Sequence, residues 1–221
     1  MDIGENIKSI VQLLPENVCL VAVSKTKPNA DILAAYKAGQ RIFGENKVQD
    51  LTQKYEELPK DIEWHFIGHP QTNKVKYIAP FISLIHGVDS LKLLKTINKE
   101  GRKNNRIINV LLQFHIAEES TKFGLSEEEA DKLLSQAEFK QLTHVNVVGV
   151  MGMATYTDDK NQIKNEFRML KGIFNSLKNK YFSDSESFVE ISMGMSGDYL
   201  LAIEEGSTLI RVGSKIFGQR N

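Results

Sequence analysis

The sequence predicts an α/β fold, a single (β/α)8 TIM-type barrel, and three observations carry that prediction. Eight short apolar runs alternate with helical or helix-like stretches along 221 residues. No linker, low-complexity tract or composition break divides the chain, so one domain is expected over residues 1–221. The unusual polar residues gather at the C-terminal ends of the apolar runs, where barrels of this kind build their sites. Strict alternation of strand and helix implies parallel strands. The competing arrangement is an open doubly wound sheet. The count of eight, and the lack of a Gly-x-Gly-x-x-Gly turn after any strand, favour closure.

The elements follow in order. Ile3, Ile7, Ile10, Val11 and Leu14 share one helical face. Strand one is Val18-Cys19-Leu20-Val21-Ala22-Val23, β-branched, apolar and closed by Ser24-Lys25-Thr26-Lys27-Pro28. A helix over 30–38 ends at Gly39. Strands are expected at 41–43, 63–67, 81–85 and 107–114. Helices are expected at 47–58, 72–78 and 91–100, the last stopped by Gly101. Ser126, with Glu129 three residues on, opens a helix as a capping box. A strand at 145–150 precedes a helix at 162–178, where Ile163, Phe167, Leu170, Phe174 and Leu177 keep helical register. A strand at 188–191, a helix at 198–204 and a strand at 208–212 complete the pattern.

Lys plus Arg and Asp plus Glu both number 28, so the net charge is zero. That balance lacks the basic excess of a protein that binds nucleic acid or a membrane surface. The N-terminus is acidic, without a signal peptide's apolar stretch, and no apolar run approaches the roughly 20 residues of a spanning helix. A cytoplasmic protein with no nucleic-acid or membrane partner is expected. The lone Cys19 fits a reducing compartment and reads as a small core residue.

Lys25 is the most telling residue. A two-residue period places it on the face of Cys19, Val21 and Val23, where an ammonium is costly unless paired, solvated or chemically used. A lysine held there can attack an aldehyde; capping the strand and reaching water is the plainer use. The turns after strands seven and eight, Gly194-Met195-Ser196-Gly197 and Gly213-Ser214, can present amides and hydroxyls to an anion. Phosphate commonly binds between those two loops in such barrels. Arg211 lies in a run otherwise fit for burial and needs a partner, either a polar ligand or a carboxylate such as Glu190 or Glu45. The five histidines show no metal-ligand spacing, so no metal is expected. Lys47, Lys54 and Glu127 to Glu129 read as solvated helix faces.

A strand-one lysine together with a phosphate cradle after strands seven and eight suggests pyridoxal 5′-phosphate. Val21-Ala22-Val23-Ser24-Lys25-Thr26-Lys27-Pro28, Phe43-Gly44-Glu45-Asn46 and Trp64-His65-Phe66-Ile67-Gly68 resemble one family's signatures. So do Gln71-Thr72-Asn73-Lys74, Thr121-Lys122-Phe123-Gly124, Gly194-Met195-Ser196 and the stretch from Gly206 to Gly218. The chain thus resembles the pyridoxal phosphate homeostasis protein family, the stand-alone relatives of the alanine racemase N-terminal barrel, over nearly its whole length. The resemblance implies an alanine racemase N-terminal-like barrel with the cofactor as a Schiff base, an internal aldimine, on Lys25. It implies phosphate contacts from Ser196, Gly213 and Ser214, Arg211 against the pyridine nitrogen, and Asn46 in the site wall. Lys27 and Lys122 resemble the family's auxiliary lysines, stations for cofactor transfer to apo enzymes. The implied role is intracellular vitamin B6 homeostasis by a monomer, with no established turnover and no catalytic residues. The alternatives are a pyridoxal phosphate-dependent racemase, which would need the missing C-terminal domain, or a Schiff-base lyase on the same barrel. Pro70 and His115 depart from the family pattern, away from the expected attachment and phosphate positions.

Overall fold

A computed structural model describes residues 2–119 and 123–219. Eight parallel strands close in sequence order: β1 (Cys19–Val23), β2 (Ile42–Glu45), β3 (Glu63–Phe66), β4 (Leu84–Val88), β5 (Ile108–Phe114), β6 (Val145–Gly152), β7 (Glu190–Ser192) and β8 (Leu209–Val212). Closure runs through β1 and β8, with Val21 opposite Arg211 and Ala22 opposite Val212. Around them lie α1 (Ile3–Val11), α2 (Asn29–Lys37), α3 (Val48–Glu57), α4 (Val75–Ile78), α5 (Leu91–Lys103), α6 (Glu127–Leu134), α7 (Ala137–Lys140), α8 (Lys160–Tyr181), α9 (Tyr199–Glu204) and α10 (Ser214–Phe217). A 3-10 turn at Thr72–Lys74 leads into α4. The expected barrel is therefore the observed one.

The local signals explain most boundaries. Asp2 caps α1 by accepting the Gly4 and Glu5 amides, and the Ser126–Glu129 capping box opens α6. Gly39 ends α2 with φ 99, a conformation that favours glycine. Three expectations need correction. β4 begins later than expected, because Phe81 and Ile82 still donate to the Ile78 carbonyl and complete the turn after α4. Gly101 lies inside α5 rather than stopping it; a β-carbon there would sit 2.9 Å from the Arg106 and His144 carbonyls. Cys19 is exposed at the first position of β1 and is not a core residue.

Side chains alternate between two apolar layers. Outward residues such as Ala22, Phe43, Trp64, Phe66, Ile85 and Ile210 pack against the helices. Inward residues Val21, Leu84, Leu111, Val148, Met151 and Leu209 form a separate apolar floor inside the barrel. The same inward parity puts His65, His86 and Arg211 above that floor, towards the C-terminal rim. Gly149 is required at the closest strand approach: a β-carbon would lie 1.8 Å from the Glu190 carbonyl oxygen, beside the register shift between β5 and β6. Gly149→Ala is expected to lower stability by about 3 kcal/mol or more, read from urea unfolding.

Candidate functional site

The turn after β1 is held from several sides. The Lys27 amide returns to the Ser24 carbonyl at 3.0 Å, which makes Lys25 and Thr26 the central pair of a four-residue turn. Thr26 takes φ 68, an outlier for a β-branched residue. Lys25, half-buried, stands directly before it. Lys27 is committed elsewhere: its ammonium donates to the Phe217 carbonyl at 2.8 Å and to that of Gln219 at 3.3 Å. It thereby fastens the β1 turn to the end of α10.

Next to β1, the turns after β7 and β8 meet. Gly213 donates its amide to Ser196 Oγ at 3.1 Å, tying the two turns and leaving the Ser196 hydroxyl proton for another acceptor. A β-carbon at Gly213 would lie 3.2 Å from the Val23 carbonyl, so this turn abuts the end of β1 two residues before Lys25. Ser214 is exposed at the start of α10. Ser196 precedes α9 without capping it, since Asp198 holds the N-cap position and accepts the Met195 amide. Asn46 is exposed at the end of β2 and lines a cleft with Lys47, Phe66, His69, Gln71 and Lys74. That cleft does not include the turns after β7 and β8. Lys122 lies outside the described residues.

Arg211 is 5% exposed, and its partners differ from the carboxylates considered above. It donates to Ser192 Oγ and, at 3.0 Å, to the Gly152 carbonyl. Glu190 accepts instead from Thr208, and Glu45 pairs with Lys54. Burial pulls the Arg211 guanidinium down to about 10, against the attraction of Asp198.

Beyond Ser192 runs a buried chain that the sequence reading passed over. His86 Nδ1 lies 2.9 Å from Ser192 Oγ, and His86 Nε2 lies 3.0 Å from His65 Nδ1. A guanidinium can only donate, so Ser192 accepts from Arg211. With the Ser192 hydroxyl donating to His86 Nδ1, His86 carries its proton on Nε2 and donates to His65, and the chain Arg211, Ser192, His86, His65 is satisfied throughout. Desolvation lowers His65 to about 3. It lowers His86 well below its ordinary value, helped by the neighbouring His65 and Arg211. The signal was strand parity: all four residues fall on the inward positions of their strands.

Lys54 corrects a second expectation. It is 8% exposed and bonds Glu45 at 2.7 Å across the layer between β2 and α3. Lys47 and Glu127 to Glu129 are exposed, as expected.

Among the described residues no group of three or more His, Cys, Asp or Glu could hold a metal ion, and no helix is long and apolar enough to cross a membrane. The sequence matches the alanine racemase N-terminal domain family over residues 2–221. It is 38% identical over 202 residues to the pyridoxal phosphate homeostasis protein of Aquifex aeolicus, covering 91% of this chain and 86% of that protein. It is 36% identical over 235 residues to the protein of that name from Haemophilus influenzae, covering 100% and 97%. The structure of PipY from Synechococcus elongatus with bound pyridoxal phosphate superposes with a TM-score of 0.89 at 34% identity, over 98% of this chain and 100% of that one. The alanine racemase of E. faecalis shares the fold alone, with a TM-score of 0.76 at 16% identity over 99% of this chain and 58% of that one. With its closed parallel barrel and its similarity over nearly the whole chain, the chain belongs to the alanine racemase N-terminal domain family, among the pyridoxal phosphate homeostasis proteins.

Proposed function

We propose that this barrel binds pyridoxal 5′-phosphate through Lys25 and serves in keeping the free cofactor low. The observation that carries this reading is the convergence of three neighbouring strands. β1 brings a half-buried primary amine, β8 a buried guanidinium, and β7 with β8 a pair of joined turns bearing hydroxyls. These groups fit an aromatic aldehyde with a phosphate at its far end. When bound, the cofactor supplies an aldehyde that condenses with a primary amine and releases water.

The chain's own residues divide the work. Lys25 presents the amine from a turn closed at both ends. The Ser196 hydroxyl and the backbone around Gly213 and Ser214 face the phosphate end. Arg211 would hold the ring-nitrogen side of the cofactor with a positive donor, which would disfavour a proton there and leave the ring a weaker electron sink. The histidines nearest Arg211 are kept neutral by burial and are hydrogen-bonded to one another. Holding and releasing the cofactor, rather than turnover, is the role this arrangement supports. Apo enzymes that need the cofactor are the proposed recipients, and the cytoplasm the proposed location, where the exposed thiol of Cys19 stays reduced.

Titrating the purified protein with pyridoxal phosphate should produce the visible absorbance of a lysine-bound cofactor, and Lys25→Ala should abolish it. An undiminished band in Lys25→Ala would contradict the attachment. Racemisation of alanine by the wild type above background would contradict the holding role.

A further inference from the structure

Ser24, the residue before Lys25, is bonded at every polar group it has. Its amide donates to the Gly44 carbonyl at 3.1 Å, and its carbonyl accepts the Lys27 amide and, at 3.0 Å, the Lys54 ammonium. Its hydroxyl donates to Glu45 Oε1 at 2.6 Å, the same oxygen that Lys54 reaches at 2.7 Å. Inward Gly44 abuts Val21 and Ile67 of the barrel interior, so Glu45, next along β2, faces the helix layer where Lys54 projects from α3. Ser24 is therefore pulled outward, towards the helix layer, at the entry to the turn that carries Lys25.

This arrangement is costly as a device for stability. Glu45 is fully buried, and its second oxygen, Oε2, has no hydrogen-bond partner. Burial pushes its carboxyl up, and the Lys54 ammonium opposes that. Well-packed apolar side chains in the same volume would stabilise the fold as well or better. Apolar side chains could not, however, bond the carbonyl and hydroxyl of Ser24. The next turn needs such restraint, because Thr26 is held at positive φ, a strained state that persists only when its surroundings over-determine it.

We propose that the buried Glu45–Lys54 pair is a positioning device for Lys25: it clamps Ser24 from outside the barrel so that the strained turn holds the amine ready for the aldehyde. The inference rests on the reading that Lys25 carries the cofactor. Neither Glu45 nor Lys54 touches the cofactor; both act through Ser24.

The test compares the full-length wild type with the apolar-pair variant Glu45→Leu/Lys54→Met. Two quantities are read: the melting temperature of the apo-protein, and the rate at which it takes up pyridoxal phosphate, followed by the absorbance of the lysine-bound form. The variant should still fold and melt cooperatively, some loss of melting temperature coming from the Ser24 hydroxyl left unbonded, yet take up cofactor at least about tenfold more slowly, since a small misplacement of a reacting group is enough for such a loss. A purely structural pair would change melting and leave uptake alone, and wild-type uptake in the variant would overturn the proposal. Should the double variant not fold, Ser24→Ala removes only the hydroxyl tie. Slower uptake by the folded variant supports the clamp there, and unchanged uptake overturns it. Borohydride trapping in the wild type separates the two levels: no adduct on Lys25 sinks the attachment itself, whereas an adduct with uptake indifferent to these variants sinks only the clamp.

Discussion

Acidification from pH 7 to 5 is expected to remove about 2 kcal/mol of stability through His65, with His86 adding a loss in the same direction. Both side chains are buried, and their folded values are lowered, to about 3 for His65. In the unfolded chain an ordinary histidine titrates near 6.5. Below that value the unfolded state binds protons that the folded state refuses, so stability falls as pH falls. His65 contributes up to about 1.4 kcal/mol per pH unit once the pH is below about 6.5, and His86 acts in the same direction. The stability they confer is fully present above about 6.5 and is lost progressively as pH drops towards the folded values. Against a typical net stability of about 5–15 kcal/mol, that loss is large. Urea unfolding at pH 7 and 5 measures it directly. Replacing His65 with Gln should reduce the pH dependence; an unchanged dependence would mean that the proton uptake lies elsewhere.

Replacing Arg211 with Ala is expected to weaken cofactor binding about ten- to hundredfold while attachment to Lys25 survives. The loss corresponds to about 1.5–3 kcal/mol, the worth of a hydrogen bond to a charged group. Arg211's partners are a hydroxyl and a carbonyl rather than a carboxylate, so its positive charge is not cancelled by a direct ion pair with Glu45 or Glu190. The variant also leaves Ser192 and the Gly152 carbonyl short of a donor, so some loss of thermal stability should accompany the weaker binding. Titration by absorbance gives the affinity, and a wild-type affinity would contradict a contact between Arg211 and the ring.

Much of the barrel was legible because its signals are local. The two-residue period of Val18 to Val23 and the register of Ile163, Phe167 and Leu170 are read from neighbours in the chain. Arg211 was legible as a misfit, a guanidinium inside an apolar run. Its partners were not, since they come from β6 and β7, far away in sequence. Lys54 illustrates the same limit: within 47–58 it is one more polar residue of an amphipathic helix, and only the contact with Glu45 on the sheet buries it. The five histidines lack metal-ligand spacing, yet strand parity places His65 and His86 inside the barrel. Cys19 was misplaced for the converse reason: its strand is apolar, but its position at the strand's start leaves it exposed.

Whether Lys25 is the point of attachment is read by reductive trapping. The wild-type protein is incubated with pyridoxal phosphate, reduced with borohydride, digested and sequenced by mass spectrometry. One phosphopyridoxyl group per chain is expected on Lys25. A label mainly on Lys27 or Lys54, or no label at all, would place the attachment elsewhere and overturn the proposed function.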